Sequence, residues 1–151
     1  MKAYQLSVFA ENKAGRLAQV TQILSKEKIN IRAITISTSG DSGSINFIVD
    51  HPKQGQKVLA KAGLTVTLKP VISVLIKDRP GSLNELVNLL ADKNINIENA
   101  YGFVLESWKQ AVFIIDVDQL EKTEEILEKA GFETVNADAI SAIEPFHYMK
   151  Y

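Results

Sequence analysis

The residues in this sequence best suited to chemistry fall in two short stretches of one design. Glu11-Asn12-Lys13-Ala14-Gly15-Arg16-Leu17 returns 66 positions later as Lys77-Asp78-Arg79-Pro80-Gly81-Ser82-Leu83. Each stretch ends an apolar run, opens an amphipathic one, and is followed by an asparagine between isoleucines, Ile29-Asn30-Ile31 and Ile95-Asn96-Ile97. Gly15 and Gly81 permit positive φ and a close backbone approach. N–H groups exposed at a helix start, with the helix dipole behind them, attract a carboxylate. Arg16 and Arg79 have the side chain that pairs bidentately with such a group. Asn30 and Asn96 add a carboxamide on a neighbouring strand, where asparagine is otherwise disfavoured. The chemistry is recognition of a small anionic or zwitterionic ligand. Structural roles compete at every position: a turn into a helix for the glycines, helix-end punctuation for the asparagines, solvated charge for the arginines.

Catalysis has no comparable framework. The chain lacks cysteine, which removes disulfides, thiolate metal sites and thiol nucleophiles. Its two histidines, His51 and His147, are far apart and have no carboxylate at ligand spacing, so no metal site is expected. Neither a serine–histidine nor a paired-acid arrangement is recognisable. Glu121, Glu124, Glu125 and Glu128 read as a solvated helix face with Lys122 and Lys129. We expect no enzyme activity and no cofactor. A net charge of −1 gives no electrostatic reason to expect nucleic acid. The N-terminus lacks the apolar run of a signal peptide, and no segment reaches the ~18 apolar residues that span a bilayer. A cytoplasmic location without membrane attachment is expected.

These stretches must be positioned by regular elements. Residues 3–10 alternate as a strand. Leu17, Val20, Ile23 and Leu24 recur at helical spacing to about Lys28. Ile29 to Thr38 reads as a second strand with a bulge near Ala33, and Ile45 to Asp50 as a third, joined by turn-forming Ser39 to Gly43. Pro52 suits the first turn of a helix that Gly55 weakens and Gly63 ends. Leu64, Val66 and Leu68 make a fourth strand, which Pro70 separates from Val71 to Ile76. The order then repeats: a helix stripe at Leu83, Leu86, Val87 and Leu90, strands over Ile95 to Leu105 and Ala111 to Val117, and a further helix. Gly102 marks a bulge or close backbone approach, and Asp118 with Glu121 reads as a capping box. Phe132 to Ile143 supplies the last extended segment.

At a constant offset of 66 and without a gap, residues 5–50 match residues 71–116. The identities include Gly15/Gly81, Leu17/Leu83, Asn30/Asn96, Phe47/Phe113, Ile48/Ile114 and Asp50/Asp116. Lys61-Ala62-Gly63 answers Lys129-Ala130-Gly131 at offset 68. The implied fold class is α+β: two tandem ferredoxin-like βαββαβ modules, residues 1–69 and 70–151. Each is an antiparallel sheet with both helices on one face and its first and third strands central.

With these loops, each followed after one helix by Ile-Asn-Ile, the chain resembles the ACT domain family of small ligand-binding regulatory modules. It looks like the stand-alone tandem ACT proteins that carry no attached enzyme. The resemblance covers nearly the whole chain, twice. It implies an amino acid or similar ligand bound where two modules meet. It places Asn12 and Asn30 in the first site and Asp78 and Asn96 in the second. Asp78 departs from the asparagine pattern, since it accepts but cannot donate, and Ala14 departs from a proline that Pro80 keeps. The sites need not be equal. The candidate ligand-binding residues are Asn12, Ala14, Gly15, Arg16, Leu17, Asn30 and Ile31, with Asp78, Arg79, Gly81, Ser82, Leu83, Asn96 and Ile97.

The expected function is an amino-acid-binding regulatory sensor that acts on a metabolic enzyme partner or on its own oligomer state. A homodimer follows from exposed sheet edges and from the family. A ligand-free assembly module is the alternative. The aromatic tail Glu144 to Tyr151 is expected to dock across the module interface, a ligand or a partner subunit, against a frayed end.

Overall fold

The computed structural model describes residues 3–136. Its elements run β1 (Ala3–Glu11), α1 (Arg16–Lys26), β2 (Ile31–Ser39), β3 (Ser42–Val49), α2 (Pro52–Lys61) and β4 (Thr65–Lys77). They continue with α3 (Ser82–Asp92), β5 (Ile97–Glu106), β6 (Gln110–Val117), α4 (Leu120–Lys129) and β7 (Glu133–Val135). The chain divides into two compact units, Tyr4–Pro70 and one that begins at Val71.

In the first unit the strand order is β2-β3-β1-β4. Leu6 of β1 and Ile34 of β2 both stand opposite Phe47 of β3, antiparallel on either side. The expected bulge interrupts β2 between Ile31 and Ala33. The helices bury a core of Leu6, Val8, Val20, Leu24, Phe47, Val49 and Leu59. Each such side chain, fully withdrawn from water, contributes about 1.5–3 kcal/mol. Gly55 has a packing role inside α2, because a Cβ there would lie 2.7 Å from Leu6 Cδ1. Glycine lets the helix settle on the sheet.

The second unit repeats this plan. Ile72 and Ser73 of β4 pair with Ile115 and Ile114 of β6 on one side, and Ser73 pairs with Val135 of β7 on the other. Tyr101 of β5 stands opposite Ile114. The core comprises Ile72, Val74, Leu86, Leu90, Ile95, Ile115, Val117 and Leu127. First and third strands are central in both units.

The four helices of the described residues end alike. The N–H of the residue after each left-handed position reaches back to a carbonyl in the last turn: Ile29 to Leu24, Leu64 to Leu59, Ile95 to Leu90 and Phe132 to Leu127. The left-handed residues are Lys28, Gly63, Asn94 and Gly131.

Four sequence expectations change. β4 is one strand of 13 residues that runs through Pro70 rather than breaking there. Pro70 lies before the residues that pair with β6, which start at Ile72. The capping box at Asp118 and Glu121 does not form. Gln119 is the N-cap of α4, without a side-chain cap bond, and Asp118 Oδ1 instead accepts from the Asn96 N–H at 3.1 Å. The gapless alignment fails at the second hairpin. Leu6 faces Phe47 but Ile72 faces Ile115, so β3 and β6 correspond at offset 68. The extra two residues are accommodated by a bulge between Val104 and Glu106 and a longer turn, Ser107-Trp108-Lys109. The partner of Asp50 is therefore Asp118 and not Asp116. Lastly, α1 stops at Lys26. Of the expected extended segment, Glu133–Val135 is a strand, and residues 137–143 and the aromatic tail lie outside the described residues.

Candidate ligand site

In the first unit the loop between β1 and α1 is tied to the β2–β3 hairpin. The Asn12 N–H donates to the Asp41 carbonyl at 2.8 Å, and Asn12 Nδ2 donates to the Gly40 carbonyl at 3.3 Å. Gly15 then takes φ 87° and opens α1 as its N-cap, with no side chain capping the first turn. Ala14 and Gly15 are exposed. Between loop, helix and hairpin lies a cavity of about 120 Å³ lined by Asn12, Arg16, Leu17, Ile36 and Ile45 among others. Arg16 Nη1 donates to Gln19 Oε1 at 2.7 Å, and Nη2 is 4.0 Å from Glu11 Oε2. Its Nε is shut off from solvent and has no hydrogen-bond partner. Leu17 and Ile36 remain 37% and 50% exposed. The arrangement sets a guanidinium beside an apolar floor.

The second loop is built on the same frame with the hydrogen-bond polarity reversed. The Asp78 N–H donates to the Lys109 carbonyl at 3.0 Å, and Asp78 Oδ2 accepts from the Trp108 N–H at 2.7 Å. The first hairpin presents a carbonyl to position 12, which an amide can meet. The longer second hairpin presents an N–H to position 78, which a carboxylate can meet. Trp108 sits at φ 63° with its side chain 76% exposed. Gly81 repeats the left-handed N-cap at φ 92°. Arg79 is engaged locally: Nε donates to Ser82 Oγ at 3.4 Å and Nη2 lies 3.6 Å from Glu85. Ser82 is buried, and Leu83 is exposed.

The sequence grouped each loop with an asparagine that the fold holds elsewhere in its unit. Asn30 precedes β2, whereas Asn12 meets Gly40, just past the far end of that nine-residue strand. At about 3.3 Å per residue the two are about 30 Å apart. The Asn30 N–H donates to Asp50 Oδ1 at 2.9 Å and its carbonyl accepts from the Asp50 N–H at 3.1 Å. Asn96 and Asp118 make the same two-point clasp. Ile31 and Ile97 pack against their respective cores. Within a unit, the structure brings together Asn12, Arg16 and Leu17 and leaves Asn30 and Ile31 apart. Ile36, Ile45 and the hairpin residues Gly43 and Ser44, which also border the cavity, were not among the residues the sequence singled out. The shift from offset 66 to 68 was their available signal.

Other chemistry is sparse. Among the described residues no three His, Cys, Asp or Glu groups gather as a metal site, and no helix is long and apolar enough to cross a membrane. Burial, and then the neighbouring Asp116 carboxylate, push the Tyr101 phenol well above its usual pKa.

Two α+β units, each leading a strand through a left-handed glycine into a helix beside a hairpin, define a tandem of small ferredoxin-like modules. The chain belongs to the ACT domain family: the ACT domain pair matches residues 1–143. Protein BT0572 of Bacteroides thetaiotaomicron is 31% identical, with a TM-score of 0.87 over 94% of this chain and 97% of that one. The ligand-free regulatory subunit of aspartate kinase from Thermus thermophilus shares the fold, with a TM-score of 0.62 at 20% identity over 85% and 91% of the two chains. A chloroplastic D-3-phosphoglycerate dehydrogenase of Arabidopsis thaliana is 32% identical over 125 residues, 80% of this chain. The chain spans about a fifth (20%) of that enzyme's length.

Proposed function

We propose that this protein is a non-catalytic regulatory module of the cytoplasm that binds a free amino acid at its glycine loops. The modules take residues 1–69 and 70–151. The observation that carries the reading is the uncapped start of α1 opening on a cavity lined by Asn12, Arg16 and Leu17. Uncapped amides and a guanidinium suit a carboxylate, and Glu11 beside Arg16 suits an ammonium. Membership of the ACT family supports the reading, as does a fold shared with a protein described as a kinase's regulatory subunit. The ligand would act by binding one arrangement of the protein better than another, which changes a surface that a metabolic enzyme or a second copy reads. β2 and β5 end their sheets and offer the edges for a homodimer.

The test is thermal shift against the twenty amino acids at millimolar concentration. One of them raises the melting temperature, and Asn12→Ala abolishes the rise. A flat panel overturns the reading in favour of a ligand-free assembly module.

A further inference from the structure

The two loops share a backbone design, but the space beside them does not match. With β3 and β6 aligned at offset 68, Ile36 and Ile45, which face each other across the first hairpin, correspond to Gly102 and Phe113, which face each other across the second. Both isoleucines line the cavity. At the second hairpin a Cβ on Gly102 would lie 3.0 Å from Phe113 Cδ1 and 2.6 Å from the Val112 carbonyl. The phenylalanine ring therefore occupies the space above residue 102 that a side chain fills at position 36. Two more exchanges go the same way: Gly43, which lines the cavity, becomes Ala111, and Arg16 becomes Ser82. Asp78 and Arg79 already have partners within the second unit.

From these exchanges we infer that the chain binds one ligand, in its first module, and that the ligand is an amino acid with a short aliphatic side chain. The inference rests on the amino-acid reading above and narrows it. The cavity beside the loop is small, about 120 Å³, and suits a short side chain. Ala10, Leu17, Ile36 and Ile45 supply its apolar surface. A charged side chain placed against these four residues loses hydration and meets no charge there, while Glu11, Lys13 and Arg16, which also line the cavity, are left to the ligand's ammonium and carboxylate. The carboxylate goes to the guanidinium of Arg16, which lines the cavity and whose side chain is 24% exposed. The second module keeps the loop geometry and fills the space with its own Phe113, which leaves it a scaffold.

The experiment is titration calorimetry of the whole chain with glycine, L-valine, L-leucine, L-isoleucine, L-aspartate, L-lysine and L-phenylalanine, followed by the remaining amino acids. The expected result is binding of one of the three branched aliphatic amino acids at one per chain. Arg16→Met keeps the stem, loses the guanidinium, and weakens binding roughly tenfold to a hundredfold. The double variant Ile36→Gly, Ile45→Phe rebuilds in the first module the filling that the second already folds with. It melts cooperatively and binds nothing. Two ligands per chain, unchanged affinity in either variant, or a charged amino acid as the tightest ligand overturns the inference while amino-acid sensing stands. If no amino acid binds, both readings fall.

Discussion

Lys28 is the odd member of the four helix ends, and replacing it tests whether backbone strain is stored there. Its counterparts in the other left-handed positions are two glycines and Asn94, residue types that accept positive φ, whereas Lys28 sits at φ 59°. A side chain in that region costs about 1–2 kcal/mol. Lys28→Gly removes the cost but gives the unfolded chain additional freedom worth about 0.5–1 kcal/mol. Lys28 is exposed, so little packing is lost, and the net gain is about 0.5–1 kcal/mol. In a chain of this size 1 kcal/mol moves the melting temperature by about 2–4 °C. Differential scanning calorimetry should therefore place Lys28→Gly about 1–4 °C above the parent. The reciprocal change, Asn94→Lys, installs the strained residue in the second unit and lowers stability by a similar amount. A lower melting temperature for Lys28→Gly, or a higher one for Asn94→Lys, refutes the assignment of strain to these ends.

Three other substitutions probe the hairpins. Gly102→Val drives a side chain into the Val112 carbonyl and the Phe113 ring, and costs about 1–3 kcal/mol by urea denaturation; combining it with Phe113→Ile recovers part of the loss. Asn12→Asp sets two acceptors against each other at Gly40, whereas Asp78→Asn keeps an acceptor for the Trp108 N–H. The first should cost about 0.5–1.5 kcal/mol and the second less, and equal effects would show that loop polarity does not matter. The raised pKa of Tyr101 has a definite sign: above about pH 10 the unfolded chain loses the phenol proton while the folded chain holds it. Stability then falls as pH rises. Tyr101→Phe removes that part of the fall, and identical urea midpoints across pH 9–11 for both proteins would contradict it.

Much of the fold could be read from residue patterns because duplication states the same answer twice. Val20 and Leu24, or Leu86 and Leu90, are buried where helical spacing puts them. Gly15 and Gly81 are left-handed, as turns into helices require. The hairpin was harder. Phe47/Phe113, Ile48/Ile114 and Asp50/Asp116 coincide at offset 66, yet register depends on cross-strand hydrogen bonds, which a run of similar apolar residues leaves ambiguous. Asp116 is buried on β6 and acts on Tyr101, while Asp118 performs the clasp that Asp50 makes. Asn30 and Asn96 were read through their carboxamides, and nothing in the sequence signalled the clasp their backbone groups make. The cavity was invisible for a related reason. Ile36 and Ile45 are ordinary strand residues in sequence, and only the absence of an aromatic neighbour between them leaves room.

Trp108 is the single tryptophan in the chain, so tryptophan emission reports on one hairpin tip alone. Its indole is 76% exposed and already meets water, so unfolding alters its surroundings less than it would those of a buried ring. Its backbone N–H is held by Asp78. A blue shift on mixing with another protein would therefore signal that this tip had been covered. The second module carries a native, label-free reporter, and the first is optically silent in the same channel.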